Sequence, residues 1–239
     1  MKRRHIIIGD IHGCFDELRD LLDRVAPSSD DVVISVGDVV RKGPAPDRCL
    51  DLWLERGWLG ILGNQEKKLL DLVQSGRVAD DSDRRVAARA DLLKFIRGWP
   101  LYGDFESEGF VVVHGGLLPG TAIDKRSIQA QRDSVLTLRH VRRRNGGWIP
   151  VAKGEEKPGD RFWSEVWDGP RTILYGHTPR QEVRRDPKAI GLDTSCVYGG
   201  ALTAAVLRDR VWTFESVRAR RRYARSAALK AESDIIRAR

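Results

Sequence analysis

The chain has 239 residues, of which 41% are hydrophobic and 32% charged, so it predicts one domain of ordinary α/β size with a core beneath a heavily charged surface. No run of about 18 apolar residues exists, and the opening "MKRRHIIIGD" holds too short an aliphatic run for a signal-peptide core; a membrane span and a secretory leader are not expected. Cys14, Cys49 and Cys196 are odd in number and form no CxxC pair, which argues against a disulfide framework and for a reducing, cytoplasmic setting. The formal charge of +8 suits polyanionic partners such as nucleic acid, nucleotides or phosphoproteins without ranking them.

In chain order, short aliphatic runs alternate with longer amphipathic stretches. "HIIIGD" (5–10) reads as a buried strand, 15–25 as a helix, "VVISVGD" (32–38) as a strand and 46–56 as a helix. "LGILGN" (59–64) is a further strand, followed by helices at 65–75 and 83–97, the strand "FVVVHGG" (110–116) and a helix over about 127–144. Residues 145–161, "NGGWIPVAKGEEKPGDR", are expected to form a long surface loop. "TILYGHT" (172–178) is again a buried strand. Sequential strands follow at 191–195, 201–207 and 211–217, the last two joined as a hairpin across "RDR". Pro27, Pro44, Pro100 and Pro119 punctuate the joins. The prediction is one domain over 1–217 and a basic helix or tail over 218–239. For that tail and for "RHVRRRNGG" (139–147) a solvated helix face is the plainer reading.

The buried runs share one design, ending in glycine beside a polar side chain. Open α/β sheets place their sites at the carboxyl ends of strands. Read in order, those ends supply Asp10 and His12, then Asp38, Asn64, His114 and His177. Any one could be a satisfied core histidine or a turn residue. Together they make an all-N/O set with no thiolate, suited to a pair of divalent ions such as manganese, iron, zinc or cobalt. Two such ions need a bridging ligand, and Asp38 is the natural bridge.

"GDIHG" (9–13), "GDVVRKGP" (37–44), "GNQE" (63–66), "HGG" (114–116) and "GHT" (176–178) resemble the motifs of the calcineurin-like metallophosphoesterases. The match is closest to the branch of bacterial symmetrical diadenosine tetraphosphatases and ApaH-like phosphatases, next to the serine/threonine phosphoprotein phosphatases. "GLDTSCVYGGALTA" (191–204) resembles that branch's closing segment, with Ser195 where glycine is usual. The resemblance covers about residues 5–207. It implies an α/β fold of two packed β-sheets flanked by helices, a four-layer αββα sandwich. It also implies Asp10 and His12 on one metal, Asp38 bridging, and Asn64, His114 and His177 on the second, with manganese first among the metals. A hydroxide shared by the two ions would attack phosphorus in line. Arg41, Lys42 and Asn64 would meet substrate phosphate. Lys42 stands in the place of the family's arginine, keeping its charge without the bidentate fork.

Gln65 replaces the histidine that the family uses to protonate the leaving oxygen, and Arg41 stands where protein phosphatases carry the aspartate that orients it. Acid help of this kind is typically worth about 10²–10⁴-fold. A serine alkoxide needs that proton, whereas a nucleoside diphosphate leaves as a stabilised anion. The expected substrates are therefore dinucleoside polyphosphates such as diadenosine tetraphosphate, or nucleotide-capped RNA 5′ ends. The alternatives are a phosphoprotein phosphatase and, in another class, a metal-loaded protein that binds nucleotide or RNA without turnover. Arg218, Arg220, Arg221, Arg222 and Arg225 with Tyr223 could contact an RNA backbone, but no RNA-binding motif accompanies them.

Overall fold

Ile6, Ile7 and Ile8 are each fully buried, which requires cover on both faces of their strand. The computed structural model, which describes residues 3–225, provides it with two stacked sheets and outer layers. The elements of the first half are β1 (His5–Ile8), α1 (Phe15–Val25), β2 (Val32–Ser35), α2 (Pro46–Arg56), β3 (Leu59–Gly60), α3 (Asn64–Gln74), α4 (Asp81–Ala87), α5 (Ala90–Arg97), β4 (Tyr102–Phe105) and β5 (Phe110–Val113). The second half adds α6 (Lys125–Ala130), α7 (Arg132–Thr137), β6 (His140–Arg144), β7 (Gly147–Val151), β8 (Arg161–Phe162), β9 (Thr172–Tyr175), β10 (Arg184–Asp186), β11 (Ala189–Gly191), β12 (Ala201–Arg208) and β13 (Val211–Arg218).

One five-stranded sheet runs β13-β12-β1-β2-β3 and the other β10-β11-β9-β5-β4. In the first, β1 is parallel to β2 and antiparallel to β12, with Ile7 opposite both Ile34 and Ala205. In the second, β9 lies parallel between β5 and β11, with Leu174 opposite Val112 and Ile190. These opposed residues form the layer between the sheets, together with Val36, Ile61, Phe110, Leu192 and Leu207. The alternate residues Ile6, Ile8 and Val33 point the other way, into a cluster with Leu18 and Leu21 of α1 and Leu50 and Trp53 of α2. Strand periodicity of two therefore feeds two separate apolar layers. On the second sheet Trp163 packs edge-on against Tyr175 at 4.9 Å. The small sheet β7-β6-β8 adjoins that side, where Phe162 of β8 meets the Tyr175 ring at 6.2 Å. The architecture is the two-sheet, helix-flanked α/β sandwich expected.

Several expected boundaries are corrected. The helix over 83–97 is two helices, because Arg89 takes an extended conformation and pairs with Asp51 and with Asp91 in the first turn of α5. The helix over 127–144 is two short helices, broken at Gln131 and ending at Thr137, and 140–144 is a strand in which Val141 is buried while Arg143 and Arg144 are exposed. The expected loop 145–161 begins with a hairpin, since Asn145 and Gly146 both have positive φ and join β6 to β7 as a two-residue turn. The strand at 191–195 lies instead at 189–191. The hairpin across "RDR" is present, turning at Asp209 and Arg210. At the C-terminus, Arg218 ends a strand and residues 219–225 are not helical; the rest of the expected basic helix lies outside the described residues. Among the described residues no helix is long and apolar enough to cross a membrane.

Candidate metal centre

Each loop that follows a parallel core strand carries part of one cluster. Asp10 and His12 follow β1, Asp38 follows β2, Asn64 opens α3 behind β3, His114 follows β5 and His177 follows β9. The loops are tied to one another through their backbones: His12 N donates to Asp38 O at 2.7 Å, Gly13 N to Val39 O at 2.8 Å and Gly176 N to His114 O at 2.9 Å. His12, Asp38 and His177 all sit at positive φ, the sparsely populated region that functional loops use to aim side chains. Glycine is required where the loops touch. A Cβ on Gly176 would stand 2.0 Å from Asp10 Oδ1, and one on Gly63 would stand 2.4 Å from Asp38 Oδ1.

All six expected ligands come together. His12 Nε2 lies 3.6 Å from Asp38 Oδ2 and 3.9 Å from Asp10 Oδ2. His114 Nε2 lies 3.2 Å from Asp38 Oδ1 and 2.9 Å from Asn64 Oδ1, and His177 Nδ1 is 3.3 Å from Asn64 Oδ1. Asp38 therefore touches both halves of the cluster. The imidazoles are aimed by backbone carbonyls: His12 Nδ1 meets Val40 O at 3.2 Å and His114 Nδ1 meets Val36 O at 2.9 Å, leaving each Nε2 for the centre. Asp10, His12, Asp38 and His114 are buried, while Asn64, Gln65 and His177 are half-buried.

The electrostatics call for a cation. Burial, then the neighbouring Asp193 and Asp38 carboxylates, push the Asp10 carboxyl well above the usual range. Burial pushes Asp193 up to about 6, and burial with the Asp38 charge pushes Glu66 up to about 7. Burial and then Lys42 push His12 down to about 3, so its Nε2 offers a lone pair. Burial would lower His114 too, but Asp38 and then Asp10 outweigh it and raise it to about 9. One ligand atom each of Asp10, His12 and Asp38 falls within 4.8 Å of the others. An all-N/O donor set with surplus buried carboxylate fits divalent metal. Asn64 has one further freedom. With its amide turned over it donates to Asp38 and His114 and accepts from Gln65 Nε2 at 2.9 Å; an ion needs the other orientation, oxygen inward.

The remaining predicted residues divide. Lys42 joins the cluster, its Nζ 3.0 Å from His12 Nε2 and 5.3 Å from the Tyr198 ring centroid. Arg41 is engaged elsewhere: its Nε lies 3.0 Å from Asp83 Oδ2 on α4. Gln65 stands beside the centre and its backbone N–H donates to Asp38 Oδ1 at 2.8 Å. Three residues escaped the sequence reading. Glu66 accepts from the backbone N–H groups of Asp38, Val40 and Gly63 at 2.8–3.0 Å, bracing two loops at once. Its position three residues after Gly63 is a helix-start signal that could have revealed it. Asp193 lies in the same buried carboxylate group, and Arg139 donates to the His177 carbonyl at 3.2 Å. Arg139 sits in a basic run, and no local pattern distinguishes it.

A family model described as calcineurin-like phosphoesterase matches residues 4–210. A symmetrical bis(5′-nucleosyl)-tetraphosphatase from Aromatoleum aromaticum is 31% identical, covering 85% of this chain and 93% of the relative. The asymmetrical bis(5′-nucleosyl)-tetraphosphatase PrpE from Halalkalibacterium halodurans is 27% identical, covering 83% and 87%. A crystal structure of a candidate diadenosine tetraphosphatase matches with a TM-score of 0.77 at 33% identity, covering 90% of this chain and 93% of that one. A protein serine/threonine phosphatase from Saccharomyces cerevisiae matches at 0.63 and 15% identity over 91% and 80%, a likeness of fold alone. With its motifs gathered into one buried N/O cluster and most of its length matched, the chain belongs to the calcineurin-like phosphoesterases, a family of metal-dependent hydrolases.

Proposed function

We propose that this chain hydrolyses phosphoanhydride bonds in dinucleoside polyphosphates of the diadenosine tetraphosphate type. One observation carries the preference for anhydrides: no histidine stands ready to protonate a leaving oxygen. His12, His114 and His177 turn their rings into the cluster. His5 packs against Phe105 and Phe110, and His140 against Phe162. At the position from which an acid would act, Gln65 can only hydrogen-bond. A leaving group that is a stabilised anion fits that arrangement, and the tetraphosphatase relatives support the same substrate class.

Asp10 and His12 would hold one divalent ion, Asn64, His114 and His177 the other, and Asp38 would bridge, with manganese the first candidate. Bound there, such ions neutralise phosphate charge and make a water nucleophile available near neutral pH. The Val40 and Val36 carbonyls keep the two imidazoles aimed. Glu66 and the Gln65 N–H fix Asp38, and the Lys42 ammonium offers a point charge to a phosphate oxygen.

The test is manganese-dependent turnover of diadenosine tetraphosphate against a phosphoserine peptide, in the chain as it stands and as Gln65→His. The expected result is a preference of about 10²-fold or more for the anhydride. Gln65→His should raise peptide turnover more than anhydride turnover. Equal rates on both substrates in the unaltered chain would defeat the proposal.

A further inference from the structure

Residues 219–225 leave β13 and return across the face of α1 toward the centre. The path is held by backbone bonds: Ala219 N donates to Gly200 O at 2.8 Å, and Tyr223 N and Ala224 N both donate to Val197 O at 3.0 Å. Glu17, fully buried in α1, accepts from Arg220 N at 2.9 Å and from the Tyr223 hydroxyl at 2.7 Å. Arg222 Nε donates to Tyr198 O at 3.3 Å, and it is the ring of Tyr198 that Lys42 overlies. Three contacts, Arg222 to Tyr198, Tyr198 to Lys42 and Lys42 to His12, therefore link this strap to the centre.

The strap closes one side of a cavity of about 370 Å³ bounded by Lys42, Pro44, Ser82, Arg221, Arg222 and Tyr223. A second cavity of about 580 Å³ shares Pro44, Arg221 and Tyr223 with it and adds Phe15, Arg48 and Arg85. The two make one groove that begins at Lys42 and ends on an aromatic floor. The acids on its walls are already engaged: Asp80 caps α4 through Ser82, Asp47 pairs with Arg85, and Asp16 pairs with Arg220. Among the described residues neither Arg221 nor Arg222 has a carboxylate partner; Arg221 lies over the Tyr223 ring at 5.2 Å. Cations that converge on one cavity without counter-charges suit a polyanion, and the apolar end with Phe15, Pro44 and Tyr223 suits a nucleobase.

Resting on the functional reading above, we propose that the strap forms a substrate subsite. Arg221 and Arg222 receive the phosphates beyond the scissile one, and the Phe15–Pro44–Tyr223 floor receives the nucleoside attached to them. The subsite would make the enzyme prefer a long polyphosphate chain over a simple monoester.

Calorimetric titration of adenosine 5′-tetraphosphate into the full chain, unaltered and as R221A/R222A, tests this directly. The double variant should bind about ten-fold more weakly, and R221K/R222K should lose less than R221A/R222A, because the charge is kept while the bidentate fork is lost. Inorganic phosphate, which cannot occupy the centre and the strap at once, should lose far less affinity than the tetraphosphate. In turnover, KM for diadenosine tetraphosphate should rise by the same factor at unchanged kcat. Undiminished binding in R221A/R222A, or parallel loss of phosphate and tetraphosphate binding, would overturn the subsite. Arginine-dependent binding without hydrolysis of diadenosine tetraphosphate would instead remove the functional reading and leave the subsite standing.

Discussion

Two residues show how tightly the centre is specified. Gly176 lies so close to Asp10 that a methyl group would occupy the space of the carboxylate oxygen at 2.0 Å. Gly176→Ala must therefore displace Asp10, whose two oxygens accept from His177 N at 3.1 Å. Displacements of about 1 Å at a catalytic centre cost roughly 10²-fold in rate. We expect a loss of that size in kcat/KM, with lowered divalent-metal content by elemental analysis and thermal stability changed far less. Ser195 is a subtler case. It holds φ at +67°, where an L-residue pays about 1–2 kcal/mol, yet its hydroxyl donates to Arg180 O at 2.7 Å. Ser195→Ala keeps the strained backbone and loses the bond, so it should destabilise by about 1–2 kcal/mol. Ser195→Gly loses the bond but relieves the strain, and should stay within about 1 kcal/mol of the parent. Urea unfolding of the pair separates the effects; a glycine variant less stable than the alanine one would show that backbone strain is not the deciding factor.

Among the elements, β1 is anchored at its start by Arg4. Its guanidinium donates to Asp31 at 2.6–3.2 Å and to the carbonyls of Val25 and Ala26 at 3.1 and 2.8 Å, joining the end of α1 to the start of β2. The Asp31 side chain is only 3% exposed. Burial opposes its ionisation, but hydrogen bonds from Arg4 and Ser28 win and hold the carboxyl below the usual range. A depressed carboxyl contributes stability fully above its unfolded pKa of about 4 and loses it as pH falls through the folded value. Asp31→Asn should cost about 1–3 kcal/mol at pH 7, and the gap to the parent should narrow progressively below about pH 4. A gap independent of pH would assign the loss to packing instead. At this scale the sequence was most readable where one chemistry dominates. The helices at 15–25 and 46–56 match residue for residue, because clean amphipathic spacing ends at punctuating residues. It was least readable over 139–151, where four arginines in six residues mask a strand whose only buried member is Val141. The Asn145–Gly146 turn was the overlooked hairpin signal.

Across the whole molecule, the six residues that cluster at the centre could be picked out from sequence because each lies beside glycine at the end of a strand, a pattern local enough to see. Arg139, Asp193 and the return of residues 219–225 could not, because their positions depend on tertiary packing between segments distant in the chain. The two sheets divide the centre between them: one contributes Asp10, His12, Asp38 and Asn64 at the ends of its parallel strands, the other His114 and His177. The group proposed for one ion, Asp10, His12 and Asp38, lies on the first sheet alone, whereas the group proposed for the other, Asp38, Asn64, His114 and His177, spans both. An ion held by that second group would act as a rivet through the seam, fitting only molecules in which both halves have already docked in register. Its binding free energy would thereby reward correct assembly, and metal uptake during refolding would report the moment at which the two halves close.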